Sequence, residues 1–365
     1  MNRDREKGLG AVAYTCSYVP AEIIMAAGFL PRRIVPERRP SEADAYMHPN
    51  SCHYLKSLLA SALAGDIPRM DGIVFANSCD GMRRLHDLWK EYANAAPALF
   101  MDVPKKKDAV SIEFFASELR AIAEKLEKEF YGAKVTSERL NEAIALCNQI
   151  RFRMNEVFTL QRDESSGVSG LAVFELCLEG TNSPVKEFTE KVGKFISDSR
   201  DRGSVSGGRQ KVVLTGNVLY RPDLITLIED SGGRVVAMDT CIGIKQYDTP
   251  VEEDSPDPML ALAERYLLKP PCARMLGVEE RFQYLKRLAE DSAAAGIVYT
   301  TVKFCDTYLY DVPSMRSRFE REGIPFLLIE NDYEWSGLEQ MKTRVEAFIA
   351  MLDERGANRD VQDDA

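Results

Sequence analysis

The stretch "AGIVYTTVKFCD", residues 295–306, is a run of apolar and β-branched residues that ends on a cysteine and an aspartate. In the other half of the chain, "DGIVFANSCD", residues 71–80, shows the same order of features. Short apolar runs bounded by turn residues are typical of strands that are buried on both faces of a parallel sheet. Each run is followed by a helical pattern and a further apolar strand, "IPFLLIEND" and "PALFMDVP" respectively. The chain is therefore predicted to contain one α/β unit twice.

Strand and helix patterns alternate at both ends of the chain and give way to helical pattern in the middle. Helical periodicity extends from residue 111 to about residue 196, and the polar, glycine-rich "DSRDRGSVSGGRQ", residues 198–210, is predicted to be a flexible connection. We expect an α/β fold of two similar parallel-sheet domains, Rossmann- or flavodoxin-like, which face each other across a cleft with a helical insert between them. The expected boundaries are residues 1–110, 111–205 and 206–365, and the last part ends in a long helix.

The composition is that of an ordinary globular protein. The 365 residues are 45% hydrophobic and 28% charged, with a formal net charge of −10. This acidic balance argues against nucleic-acid binding, which needs a basic face to displace counterions. No apolar run reaches the roughly 18 residues of a membrane span, and the charged start "MNRDREKGLG" does not resemble a signal peptide. The expected location is the cytoplasm, with no membrane or nucleic-acid partner.

The chain contains eight cysteines, which a reducing compartment keeps free of structural disulfides. They are then buried small hydrophobes, metal ligands or redox thiols. Cys147 and Cys177 lie in the helical middle, among apolar neighbours at helical spacing. These two are predicted to be buried core thiols.

The other six cysteines occupy loop positions at the ends of predicted strands or helices. Carboxyl ends of parallel strands meet at one edge of a sheet, where ligands bind. Cys52 begins a helix for which Asn50 or Ser51 is the predicted N-cap. The cysteines that follow strands are Cys16, Cys79, Cys241 and Cys305, and those that precede helices are Cys52 and Cys272. We expect all six at the ligand-binding edges, three from each half of the chain.

Two sets of three thiolates suit iron–sulfur clusters, which are held by cysteine thiolates. A cubane with three protein ligands leaves one iron open to another ligand. From the residues alone, two alternatives stay open: ordinary loop cysteines, and zinc at one or both sets, although the chain has only three histidines. The repeat is also imperfect, because "VAYTC" in the first half corresponds to "VVLTG" in the second, so that Cys16 matches Gly216.

Other residues beside the cysteines carry weaker signals. His53 follows Cys52, and Lys303 lies two residues before Cys305. Either side chain is a candidate catalytic proton or hydrogen-bond donor near a cluster, with a purely structural role as the alternative. The aspartates that follow Cys79 and Cys305 are predicted to begin helices, where a carboxylate stabilises the positive end of the helix dipole.

Several longer stretches occur in an order that is similar to a known family. They are "CSYVPAEIIMAAGFLPRRI", "DGIVFANSCDGMRRLHDLW", "VVLTGNVL", "IEDSGGRVVAMDTCIG", "LAERYL", "PPCAR", "VKFCDTYLYDVPSMRSRFEREGIPFLLIENDY" and "QMKTRVEAF". With these stretches, the sequence from about Ala11 to Leu352 resembles the 2-hydroxyacyl-CoA dehydratase and benzoyl-CoA reductase superfamily. The resemblance implies paired α/β domains and cysteine-bound iron–sulfur clusters. It also implies a separate dimeric activator, a 4Fe-4S protein that hydrolyses ATP and delivers single low-potential electrons.

Within that superfamily, the number of cysteines indicates which members the chain resembles most. A dehydratase subunit with a single 4Fe-4S cubane would hold it by Cys52, Cys79 and Cys305. This chain adds three loop cysteines, Cys16, Cys241 and Cys272. The six-cysteine pattern is similar to that of the double-cubane cluster (8Fe-9S) proteins, in which a sulfide joins two cubanes within one subunit. The resemblance thus implies an iron–sulfur reductase, coupled to ATP through its activator, that acts on a small molecule; a homodimer would match the two-fold activator.

Three alternatives accompany this interpretation. The first is a 2-hydroxyacyl-CoA dehydratase subunit with one 4Fe-4S cluster, which paramagnetic resonance of a single uncoupled cubane would favour. The second is a non-catalytic electron carrier, which reduction of a small substrate by the pure protein with its activator would exclude. The third is a scaffold stabilised by zinc, which stoichiometric zinc without iron would establish.

Overall fold

The fold is described from a computed structural model for residues 10–93, 96–199, 210–334 and 337–363, with side-chain burial described as far as residue 356. These residues form two sheets of four strands each. The strands are β1 (Ala11–Tyr14), β2 (Leu30–Arg33), β3 (Gly72–Ala76), β4 (Ala98–Met101), β5 (Gln210–Gly216), β6 (Gly233–Asp239), β7 (Gly296–Val302) and β8 (Phe326–Asn331).

Helices flank both sheets and connect them. They are α1 (Ala21–Ala26), α2 (His53–Leu63), α3 (Asp80–Tyr92), α4 (Ala109–Glu129), α5 (Ser137–Arg162), α6 (Gly170–Gly180), α7 (Val185–Ser199), α8 (Asp223–Asp230), α9 (Ile244–Tyr247), α10 (Pro258–Leu268), α11 (Val278–Asp291), α12 (Asp306–Leu309), α13 (Val312–Arg321) and α14 (Leu338–Asp363). Helices α4 to α7 lie between the last strand of one sheet and the first strand of the other, where the sequence predicted a helical insert. Across the described ranges, none of the helices combines the length and apolar character needed to span a membrane.

The two sheets have the same strand order. The first is β2-β1-β3-β4 and the second is β6-β5-β7-β8, and every neighbouring pair is parallel. This is the order of the first four strands of a flavodoxin-like sheet. The two repeated stretches of sequence supply the equivalent third strands, β3 and β7. The prediction of two similar parallel α/β domains is therefore confirmed.

Alternate residues of the central strands pack on opposite faces of the first sheet. Ala13 and Phe75 belong to one hydrophobic core, whereas Val12 and Val74 belong to a second core on the other face. Burial of an apolar side chain contributes roughly 1.5–3 kcal/mol, so strands covered on both faces are strongly held. The first of these cores also contains Tyr299 of β7. The two halves of the chain thus share a core.

Strand β2, the short helix α9 and helix α10 were missed by the sequence-based interpretation. Strand β2, "LPRR", pairs with β1 from Ala11 opposite Leu30 to Tyr14 opposite Arg33. It lacks an apolar run and contains Pro31, which is tolerated because the strand lies at the edge of the sheet. Helix α10 comes from the second half of the chain but packs in the core of the first half beside α4.

The ends and connections differ from expectation in one respect. Helix α14 continues to Asp363, through the polar tail that the sequence pattern indicated to be frayed. The predicted flexible connection at residues 198–210 lies largely outside the described residues. The expected domain boundaries at residues 110 and 205 stay a prediction.

A buried polar network ties helices α1, α5 and α10 together. Glu22 of α1 is fully buried, pairs with Arg151 of α5 and accepts a hydrogen bond of 2.8 Å from the Tyr266 hydroxyl of α10. Burial raises the pKa of Glu22, but nearby arginines outweigh it and hold the pKa below its usual value. The network fixes the start of α1 and the end of α10. These helix ends adjoin the loops that carry Cys16 and Cys272.

The imperfect repeat at Gly216 has a steric cause. A Cβ atom at this position would lie 1.9 Å from the carbonyl oxygen of Thr300, and the residue has a φ of 152°. Only glycine fits where the end of β5 approaches β7 so closely. The equivalent position at the end of β1 carries Cys16, so one thiol of the first half has no counterpart in the second.

Replacement of Gly216 by alanine is expected to destabilise the protein by about 3 kcal/mol, because the new methyl group meets backbone that no rotamer change can move. The free energy of unfolding of the full chain in guanidinium chloride measures this. Gly65→Ala is the matched control, since Gly65 also has a positive φ but has nothing within 4 Å of an added Cβ. The control should lose only about 1 kcal/mol of backbone strain energy. Equal losses for the two variants would contradict the steric explanation.

Candidate functional site

The strand-end cysteines lie where the sequence predicted them. Cys16 and Cys241 follow β1 and β6 by two residues, and Cys79 and Cys305 follow β3 and β7 by three residues. All are free thiols. The carboxyl ends of both sheets therefore carry cysteines.

Three of the cysteines are N-cap residues of helices. Cys52, Cys79 and Cys305 immediately precede α2, α3 and α12. The Cys79 sulfur accepts a hydrogen bond of 3.3 Å from the backbone N–H of Met82. Free N–H groups and the positive end of the helix dipole favour a thiolate at such a position. These three cysteines are called the first thiol group.

The thiols of the first thiol group interact with one another. A hydrogen bond between Cys52 and Cys305 raises the pKa of Cys52 well above its usual value and lowers the pKa of Cys305 to about 7. Hydrogen bonds from the Tyr308 N–H and the Asn217 side chain also lower the pKa of Cys305. Burial raises the pKa of Cys79 to about 11. Within this group, Cys305 is the thiolate near neutral pH.

A backbone hydrogen bond joins the two halves of the chain beside these thiols. The His53 N–H donates to the Lys303 carbonyl oxygen at 3.1 Å. The His53 ring Nδ1 lies 2.5 Å from the carbonyl oxygen of Asp332. Because a carbonyl oxygen only accepts, Nδ1 carries the proton and donates it to this bond. The start of α2 is thereby held against the loops that follow β7 and β8.

The predicted N-cap of α2 is wrong. Cys52, rather than Asn50 or Ser51, precedes the first helical residue, His53. The Ser51 N–H is bonded instead to the carbonyl oxygen of His48 at 2.8 Å, in a turn that comes before the helix. Because this turn includes Ser51, the helix begins later than the polar residues indicated. The residue at its N-terminal end is therefore a cysteine.

The remaining loop cysteines form the second thiol group. They are Cys16, Cys241 and Cys272. All three lie within electrostatic range of Tyr18 and of Lys269. Burial raises the pKa of Cys241 to about 11, and Cys272 adds to this increase. Loops that are far apart in the sequence therefore meet at one place.

Buried positive charges adjoin the second thiol group. Arg33, 2% exposed, donates from Nη1 to the carbonyl oxygen of Cys241 at 2.8 Å, and Lys269, 1% exposed, donates to the carbonyl oxygen of Ser17. Neither cation has a carboxylate partner in the part of the chain that the structure describes. Burial lowers the pKa of Lys269 well below its usual value, and the thiols oppose this change. Negative charge on the second thiol group would stabilise both cations.

The two thiol groups are neighbours, and each draws on both halves of the chain. Cys79 of the first group is within electrostatic range of Cys16 of the second. Each half of the chain does supply three of the six cysteines, but the two groups do not follow the halves. Each group mixes the halves, because the carboxyl ends of the two sheets approach each other and their loops interleave around one site.

The two cysteines of the helical insert are confirmed as buried core thiols. Cys147 of α5 and Cys177 of α6 are 5% and 0% exposed. Burial raises the pKa of each thiol. Both therefore stay protonated at neutral pH.

A single metal ion has no ready set of ligands in the described ranges, where no three His, Cys, Asp or Glu side chains converge closely enough to hold one. This geometry gives no support to zinc bound as a single ion by either thiol group. A cluster of several metal atoms does not need three side chains to converge on one atom, because each thiolate can bind a different metal atom. The six thiols could supply ligands to a group of that kind.

A cavity of about 310 Å³ opens at the carboxyl ends of β7 and β8. Its lining includes Arg221, Lys303, Asn331, Asp332, Leu338 and Arg344. Lys303 lies two residues from Cys305 of the first thiol group. None of the six loop cysteines is among the described lining residues. A cavity of this size can hold a small polar molecule, because ligands bind at the carboxyl ends of parallel strands.

Several residues of the site were missed in the sequence. Tyr18 and Tyr308 lie within three residues of a cysteine, and Asn217 follows the glycine of "TGNVL". Their closeness in sequence to a cysteine or to the end of a predicted strand was the only feature that could have indicated a place in the site. Arg33 and Lys269 gave none, because a charged residue in a sequence is expected at the surface.

The fold and the site define a class of protein: two similar parallel α/β units whose strand ends share one cysteine-rich site. A family model described as "2-hydroxyglutaryl-CoA dehydratase, D-component" matches residues 16–352. The chain therefore belongs to this family of dehydratase and reductase components. The resemblance of the sequence to the 2-hydroxyacyl-CoA dehydratase and benzoyl-CoA reductase superfamily is confirmed.

Relatives with known names cover nearly the whole chain. The (R)-phenyllactyl-CoA dehydratase beta subunit of Clostridium sporogenes is 28% identical over 356 residues, which are 96% of this chain and 94% of the relative. The beta subunit of lactoyl-CoA dehydratase from Anaerotignum propionicum is 26% identical, over 95% of this chain and 93% of the relative. One of the subunits of benzoyl-CoA reductase from Thauera aromatica is 27% identical, over 87% and 84% respectively.

In metal-free protein kept reduced, iodoacetamide is expected to alkylate Cys305 roughly 100-fold faster than Cys79 at pH 7. The thiolate fraction differs by about four orders of magnitude, and the lower nucleophilicity of the more acidic thiolate removes about two of them. The rate at Cys305 should rise with pH to half of its plateau near pH 7. Mass spectrometry of the modified peptides measures both rates.

Cys52→Ala provides the control for this pH profile. Without the hydrogen bond from Cys52, the midpoint for Cys305 should move to higher pH. Similar rates at Cys305 and Cys79 in the unchanged protein would refute the assignment of the thiolate.

Proposed function

We propose that this protein is an iron–sulfur reductase component that accepts low-potential electrons from an ATP-hydrolysing activator and reduces a small molecule at a double-cubane-type cluster. The observation that carries the proposal is the pair of adjacent thiol groups, each with three thiols. Two cubanes would each take three thiolates, one on each of three irons, and the closeness of Cys16 to Cys79 suits two cubanes that are joined.

The chemistry of the donor set fits such a cluster. When bound, it would supply one-electron storage at low potential. The chain's own residues hold the thiolates of the first thiol group at helix ends and donate the N–H groups of Met82 and Tyr308 to sulfur. The buried cations Arg33 and Lys269 would offset part of the negative charge that six thiolates bring into the protein.

The cavity beside Lys303 is the proposed site of the substrate. At about 310 Å³ it stands at the lower end of the range of about 300–1,000 Å³ for ligand pockets. A small molecule fits in such a cavity, whereas a CoA thioester would extend far outside it. Of the two candidate catalytic residues, Lys303 lines the cavity and is proposed to contact the substrate. His53 uses its Nδ1 proton for the Asp332 carbonyl oxygen and is proposed to position the loops.

The partners are inferred from the family. Three relatives are named as single subunits of a dehydratase or a reductase, so each works with other subunits. For this chain we propose a separate 4Fe-4S activator and a homodimer that matches its two-fold symmetry. Reduced thiols and such a cluster require a reducing, oxygen-poor compartment, for which the cytoplasm is the proposal.

A second candidate function is a 2-hydroxyacyl-CoA dehydratase subunit with one 4Fe-4S cluster on the first thiol group. The names of two relatives as dehydratase beta subunits favour it. This function gives Cys16, Cys241 and Cys272 no role as ligands. The number of irons bound per chain distinguishes it from the reductase.

Protein purified strictly without oxygen is expected to contain about eight irons and a similar amount of acid-labile sulfide per chain, because two cubanes hold that number. Iron and sulfide assays on the full chain measure this. About four irons per chain would support the single-cluster dehydratase subunit instead. Protein with no iron would refute both functions.

Cys79→Ser and Cys16→Ser each remove one ligand from a different thiol group, so each is expected to lower the iron content by about half or more. The double variant should lose nearly all iron. Cys177→Ser is the control and should keep its iron, while it loses about 1–3 kcal/mol of stability to a buried hydroxyl without a partner. Equal iron content in Cys79→Ser and Cys177→Ser would contradict the sorting of the cysteines.

A further inference from the structure

The hydroxyl group of Tyr18 is buried beside the second thiol group. Tyr18 is 1% exposed, and its hydroxyl oxygen has no hydrogen-bond partner among the described residues. The residue lies two positions after Cys16, in the loop between β1 and α1. A buried hydroxyl without a partner reduces stability, so a residue at this place indicates a use other than folding.

A second phenol reaches the same thiol group from the other half of the chain. The Tyr308 hydroxyl oxygen of α12 lies 3.3 Å from the Cys272 sulfur. Once this sulfur binds a metal it has no proton to give, and the hydroxyl is then the donor. At the first thiol group, hydrogen bonds come from backbone N–H groups and from the side chains of Ser78 and Asn217, and no tyrosine hydroxyl is among these donors.

Two buried cations lie against the ring of Tyr18. The Lys269 Nζ is 4.3 Å from the ring centroid, and the Arg274 guanidinium carbon is 5.1 Å from it. A cation over the face of an aromatic ring is attracted to its electrons and polarises them. Positive charge at this place also favours negative charge on the nearby second thiol group.

We propose that Tyr18 and Tyr308 donate hydrogen bonds to sulfur atoms of the metal group held by the second thiol group, and so make it the more easily reduced of the two groups. The inference rests on the proposed function. Reduction adds negative charge to the sulfur atoms, and donors stabilise that charge, so the reduction potential rises. Electrons delivered one at a time by the activator then collect at the second group, which lies in the more cationic surroundings.

The test is a redox titration of anaerobically purified, iron-loaded protein, followed by electron paramagnetic resonance. In Tyr18→Phe and in Tyr308→Phe, the more positive of the two midpoint potentials should become more negative. At a fixed potential, the ratio of reduced to oxidised protein should fall about tenfold, which is 59 mV for a one-electron couple. The iron content should not change, because no ligand is removed.

Tyr266→Phe is the matched control. Its ring lies 5.3 Å from the same Lys269, but its hydroxyl donates to Glu22 at 2.8 Å and contacts no thiol among the described residues. This variant should keep both potentials. In metal-free full-length protein it should unfold at a lower denaturant concentration, because Glu22 loses a partner. Metal-free Tyr18→Phe should unfold at the same or a higher concentration than the unchanged protein, because it loses only an unpartnered hydroxyl.

The outcomes separate this inference from the proposed function. Unchanged potentials in both Tyr18→Phe and Tyr308→Phe, with full iron, would overturn the inference and leave the function standing. So would a loss of metal-free stability in Tyr18→Phe equal to that of Tyr266→Phe, because the hydroxyl would then serve the fold, directly or through a bound water. Wild-type protein without iron would remove the function and the inference together.

Discussion

The hydrogen bond from the His53 N–H to the Lys303 carbonyl oxygen is the contact on which the site depends. The first N–H groups of a helix have no partner within it, and here a carbonyl oxygen from the other half of the chain satisfies one of them. The bond brings Cys52, the preceding residue, beside Cys305. The ring of the same histidine binds the carbonyl oxygen of Asp332. One residue of the first half thereby fixes two loops of the second.

Much of the fold could be predicted from the sequence, because the strand signal is local. The apolar runs at residues 71–80 and 295–306 form the third strands of two sheets with the same order. Elements that depend on a partner could not be predicted in this way. Strand β2, with Pro31 at a sheet edge, is a strand only because β1 lies beside it. Helix α10 shows its role only once it is seen to cover the core of the other half.

The candidate site was predictable in its residue types and positions but not in its grouping. Strand periodicity places a thiol at the end of each sheet, yet the pairing of Cys52 with Cys305 depends on how the two sheets face each other. The sequence did show that Cys16 has no equivalent thiol at Gly216. The reason that only glycine fits at position 216 is visible only in the structure, where an added Cβ would lie 1.9 Å from the carbonyl oxygen of Thr300.

The charges around the second thiol group link the binding of a cluster to the stability of the folded protein. Arg33 and Lys269 are almost fully buried and, in the described part of the chain, face no carboxylate. A buried cation without a counter-charge is costly, and the nearest groups able to become negative are the thiols. Metal binding deprotonates thiols, so a bound cluster would supply the missing negative charge. A ligand that binds only the folded state also stabilises it. The same cations would then hold the folded protein together and favour electrons at the cluster, so stability and redox chemistry rest on one electrostatic arrangement.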